Sequence, residues 1–102
     1  MLRRVVVTWM GGLTALGHDW ETIGGRLRAR QSGVKFMQDW ADFQDIRTRL
    51  AAPVEAYELP PQYNRKSMRS MGPVALMSTR ASELALEDAG LIGDETLKSG
   101  RA

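Results

Sequence analysis

At 102 residues, 43% of them apolar and 14 basic against 12 acidic, the chain has the composition of one small globular domain with a thin core. It contains no cysteine and one histidine, His18, which excludes disulfides, thiolate and imidazole metal clusters and a cysteine nucleophile. The net charge of +2 is too balanced to argue for nucleic acid, and the short apolar start has neither a cleavage pattern nor the length of a membrane span, so the cytoplasm is the expected compartment.

The first element is a strand over 3–9. Val5, Val6, Val7 and Thr8 form an unbroken β-branched run, which suits a strand buried on both faces of a helix-covered parallel sheet. Gly11, Gly12 and Gly17 follow as a turn, and Asp19 is placed to cap a helix over 19–31 with Trp20, Ile23 and Leu27 on its buried stripe. Gly33 is expected to close that helix in the left-handed conformation. A strand, a glycine turn and a helix invite a phosphate-binding reading, but both versions of it fail. A phosphate loop needs a lysine after the second glycine of G-x-x-x-x-G, whereas Gly17 is followed by His18 and Asp19. A dinucleotide turn needs G-x-G-x-x-G, and here the first position would be Trp9 and the third Thr14. His18 reads as an exposed polar residue before the helix.

From Val34 to Leu50 the pattern is mixed and reads as a packed loop or one irregular helical turn. Asp39, Asp42 and Asp45 have helical spacing, but the ligand order and turn glycine of a calcium loop are missing, so no metal is expected. "PVEAYEL" alternates as an edge strand near 53–59, ended by Pro60-Pro61. Between Leu59 and Ser82 there is no acid, while Arg65, Lys66, Arg69 and Arg80 fall in that window, which implies a local positive patch. A helix over 73–89 is the clearest in the chain. Pro73 suits its first turn and Gly90 its end; Val74, Met77, Ala81, Leu84 and Ala85 line one face, with Arg80, Glu83 and Glu87 opposite. The tail after Leu91 is polar, with no sign of a closing strand.

Three pieces in this order resemble the N-terminal segment of the β-ketoacyl-[acyl-carrier-protein] synthases, condensing enzymes with the thiolase-like fold. They are "RRVVVTWMGGLTALG" against an opening V-V-V-T-G-x-G, then "RQSGV", then "RKSMRSMGPVALMSTRASELALEDAGL" against a basic turn and long Ala-rich helix. Trp9 departs from the pattern, standing where the family has glycine. A tryptophan where only hydrogen fits would cost on the order of 1–3 kcal/mol or more through overpacking.

The resemblance implies an α/β fold, with residues 1–102 an incomplete N-terminal portion of a thiolase-like domain and the catalytic remainder absent. It implies a decarboxylative Claisen condensation with malonyl carrier protein in fatty-acid biosynthesis, run by a cysteine and two histidines that have no counterpart in this stretch, and no cofactor. It further implies acyl carrier protein as partner and a homodimeric parent enzyme. The family's carrier-docking cluster falls on Arg65, Lys66 and Arg69. Besides a piece of a condensing enzyme, two readings stay open: a stand-alone carrier-docking module and a degenerate reading frame.

Overall fold

A computed structural model describes residues 2–100 and carries three α-helices, α1 Trp20–Arg28, α2 Arg65–Met68 and α3 Pro73–Asp88, with two short strands, β1 Lys35–Phe36 and β2 Leu50–Ala51. The residues divide into two units, Met1–Gly12 with Glu58–Ala102, and Leu13–Tyr57. Among the described residues no helix is long and apolar enough to cross a membrane.

In the first unit α3 forms where the sequence predicts it. Pro73 occupies the start, where its missing N–H is not required, and Gly72 stands at the N-cap. At the other end Gly90 takes φ +69°, its N–H donating to Glu87 O at 3.0 Å and that of Leu91 to Leu86 O at 2.9 Å. This Schellman pair satisfies carbonyls that the helix leaves open. Gly11 lies hard against the middle of α3. A Cβ on it would come within 2.6 Å of Ala85 N and 3.2 Å of Leu84 C, and closer still to Ala81 O. The position that must lack a side chain is therefore Gly11. Trp9 is 51% exposed, so the overpacking expected of it does not arise.

In the second unit Thr14 and Gly17 exchange backbone hydrogen bonds of 3.0 and 3.2 Å, and Gly17 has φ +149°, a conformation that favours glycine. The chain then enters α1 through Asp19, whose Oδ1 accepts from Thr22 N at 2.8 Å and whose Oδ2 accepts from Thr22 Oγ1 at 2.9 Å. Of the predicted stripe only Ile23 is buried, at 5%; Trp20 and Leu27 remain exposed. The helix stops earlier than the predicted residue 31. Arg30 adopts φ 56°, its N–H donates to Leu27 O at 3.0 Å, and Gln31 N–H donates to Arg26 O at 2.9 Å. The Schellman end falls on an arginine, not on Gly33. Gly33 serves a different need, since a Cβ there would stand 2.7 Å from Ala15 Cβ.

Two expected strands differ. Residues 3–9 form no strand, and Val5 and Val7 are 92% and 84% exposed. β-Branched composition favours a pleated surface, but a strand exists only through its pairing, and among the described residues none lies alongside. Residues 53–59 likewise form no strand, because Pro53 and Pro60 supply no N–H for a ladder. The pairing lies just before, where β1 and β2 run antiparallel with Lys35 opposite Ala51 and Phe36 opposite Leu50. Between them a 3₁₀ turn spans Gln38–Asp42, and the Arg49 guanidinium donates to Trp40 O and, at 3.2 Å, to Phe43 O. Of the packed loop or irregular helical turn expected here, the helical turn is present, enclosed in a short hairpin.

Candidate functional site

The part of the acid-free window that precedes α3 folds into a short basic turn around α2. Asn64 caps α2, its Oδ1 accepting from Ser67 N at 3.0 Å, while Ser67 Oγ donates to Gln62 O and Asn64 O, both at 3.0 Å. Pro60 O accepts from Tyr63 N at 2.9 Å, turning the chain into this cap. Arg65, Lys66 and Arg69 are all exposed, and none forms an ion pair with a described residue. Arg65 and Arg69 are four residues apart, and the residue at 69 keeps helical backbone angles, so the two belong to one face of the turn.

Arg80, the fourth cation of the window, is withdrawn from the patch. Its side chain is 13% exposed; Nε donates to Glu58 O at 3.2 Å, and a terminal nitrogen meets Glu83 at 2.5 Å and Glu87 at 3.7 Å. Glu83 also accepts from the Tyr63 hydroxyl at 2.8 Å and the Gln62 amide at 3.3 Å. Burial first, then the hydrogen bond and charge of Glu83, raise the Tyr63 pKa above the usual phenol value, so Tyr63 keeps the proton it donates. The charged face of α3 is thus an anchoring network. The i, i+3, i+7 spacing of Arg80, Glu83 and Glu87 is visible in the sequence, but nothing local announces Tyr63 and Gln62 as partners.

In the second unit a cleft of about 220 Å³ is lined by Thr14, His18, Asp19, Thr22, Arg26 and Glu55, among others. Its charged groups are engaged. Arg26 donates to Leu16 O at 2.7 Å, and Glu55 pairs with Lys35, whose hydrogen bond and charge hold its carboxyl below the usual range. The N–H and hydroxyl of Thr22 do the same for Asp19. His18 is not the exposed residue expected. Its ring lies edge-on to Tyr57, centroids 6.0 Å apart at 82°, with Nε2 buried and unpartnered. Among the described residues no three His, Cys, Asp or Glu side chains gather closely enough to hold a metal ion.

The first unit thus sets Gly11 hard against a long helix rich in small residues, with an exposed basic turn just before that helix. The chain is an α/β segment of thiolase-like type. Residues 2–101 match the family model described as "Beta-ketoacyl synthase, N-terminal domain", and the chain belongs to that family. It is 28% identical over 95 residues to "3-oxoacyl-[acyl-carrier-protein] synthase 1" of Haemophilus influenzae and 35% identical over 89 residues to "3-oxoacyl-[acyl-carrier-protein] synthase 2" of Vibrio cholerae. These alignments cover 92% and 87% of the chain but only 23% and 21% of the relatives, so the chain spans under a quarter of their length. A crystal structure of a β-ketoacyl synthase from Burkholderia phymatum superposes with a TM-score of 0.83 at 49% identity, over 93% of this chain and 23% of that one.

Proposed function

We propose that the chain is the N-terminal part of a 3-oxoacyl-[acyl-carrier-protein] synthase, and that its contribution to decarboxylative condensation is to dock acyl carrier protein on Arg65, Lys66 and Arg69. One observation carries the docking assignment: three exposed cations on one short turn have no acidic neighbour to neutralise them, while the nearby Arg80 is fully engaged. A surface of this kind recognises an acidic partner by speeding encounter and fixing orientation more than by adding affinity. The chain supplies no thiol, so the thioester-forming nucleophile of the reaction belongs to sequence outside these residues.

The test is association of the chain with acyl carrier protein measured by stopped flow across ionic strength. Association slows as salt rises, because exposed charges are screened within a Debye length of about 10 Å at 0.1 M. Arg65→Glu with Arg69→Glu slows it further and flattens the salt dependence, while Lys98→Glu, at an exposed residue of the tail, changes little. Equal effects at all three positions, or none at Arg65 and Arg69, would overturn the docking assignment.

A further inference from the structure

The basic turn is held from one side by a single residue of α3. Glu83 Oε2 accepts from Tyr63 at 2.8 Å, and its Oε1 accepts from Gln62 at 3.3 Å and from Arg80 at 2.5 Å. Gln62 O in turn accepts from Ser67 Oγ at 3.0 Å, and Ser67 N donates to the Asn64 cap. A continuous chain of hydrogen bonds therefore runs from the third turn of α3 through residues 62–63 into α2. Glu83 and Arg80 have side chains only 18% and 13% exposed, so this end of the chain is screened by solvent far less than a surface pair.

α2 has four residues, far fewer than a helix needs to persist by its own hydrogen bonds. Its direction is inherited from whatever fixes its N-terminal end. Residues 60–64 provide that end, and Glu83 is the group in α3 on which their side chains converge.

We propose that Glu83 is a positioning residue for the basic turn: by gripping Gln62 and Tyr63 it sets the direction in which Arg65, Lys66 and Arg69 are presented to an acidic partner protein. The positioning stands on the hydrogen bonds alone; its consequence for association rests on the docking assignment above. Arg80 completes the device by pairing with Glu83, which keeps that carboxylate engaged within α3.

The experiment compares Tyr63→Phe and Glu83→Gln in the full chain by amide hydrogen exchange and by association with acyl carrier protein. Each variant weakens hydrogen bonding to a charged carboxylate, worth about 1.5–3 kcal/mol, so exchange at 64–69 accelerates by about tenfold or more. Exchange at 85–89 in the last turn of α3 stays unchanged, which a general loss of structure would not allow. Association slows in each variant, and the slowing disappears when Arg65→Glu and Arg69→Glu are already present. Tyr63→Phe uncovers no charge, so it carries the test if Glu83→Gln fails to fold. Unchanged exchange at 64–69, or equal acceleration along α3, overturns the positioning. A loosened turn whose association ignores both the anchor variants and the charge reversals supports the positioning and overturns the docking assignment.

Discussion

Gly11→Ala puts one methyl group where the structure has no room for it. The new carbon would lie 2.6 Å from Ala85 N and 3.2 Å from Leu84 C, against an ordinary carbon contact of about 3.5–4.0 Å. The crowding atoms are backbone atoms of α3, so no side chain can swing aside, and relief requires shifting the helix by about 1 Å. Overpacking of this kind costs about 1–3 kcal/mol. Gly25→Ala makes the same chemical change within α1, where nothing lies within 4 Å of the new methyl. There the gain in helix propensity stabilises by about 0.5–1 kcal/mol. Hydrogen exchange reads both effects locally. Amides of 81–85 should lose protection by about 5- to 150-fold in Gly11→Ala, while those of α1 gain up to about fivefold in Gly25→Ala. Unchanged protection at 81–85 would refute the claim that Gly11 is fixed by space, and weakened protection of α1 would refute the open space at Gly25.

Arg30→Gly should stabilise α1 by about 1 kcal/mol, because a left-handed residue with a Cβ costs roughly 1–2 kcal/mol and glycine returns part of that as freedom in the unfolded chain; slower exchange of the 26–31 amides checks it. Asp19 titrates below its ordinary value because the Thr22 N–H and hydroxyl favour its charged form. Its folded pKa being depressed, the cap's contribution to α1 is present above the unfolded carboxylate pKa and is lost as pH falls through the folded one; in Asp19→Asn that acid-dependent loss of helicity by circular dichroism should vanish. With no cysteine, the chain should take up no radiolabelled acyl group from acyl carrier protein as a thioester, and uptake resistant to denaturation but released by hydroxylamine would contradict the assignment of chemistry to other sequence.

What the sequence made legible follows what is local. The bounds of α3 can be read from Pro73 and Gly90 because both act within a turn of the helix end, and the Asp19 cap is similarly self-contained. The basic turn was legible as a charge count. Its split into three free cations and one anchored arginine was not, since Tyr63 and Glu83 are 20 residues apart and meet only in the fold. The strand over 3–9 failed for a related reason: valines report what a segment wants to touch, and pairing depends on what lies beside it. Gly33 and Arg30 show a further limit. A glycine near a helix end has two uses, left-handed backbone or close approach, and sequence alone does not separate them.

The exposed valines also bear on whether copies of the chain associate. Val5, Val6, Val7 and Thr8 offer β-branched side chains without charge or proline, and their backbone lies outside any ladder. That is the composition from which intermolecular cross-β stacking begins. Arg3 and Arg4 stand immediately before it. Stacking copies of the segment in register would bring those arginines face to face at a spacing of about 4.7–4.8 Å, which sets like charges against each added layer. Replacing both with neutral residues should therefore raise the tendency of copies of the chain to associate through this segment.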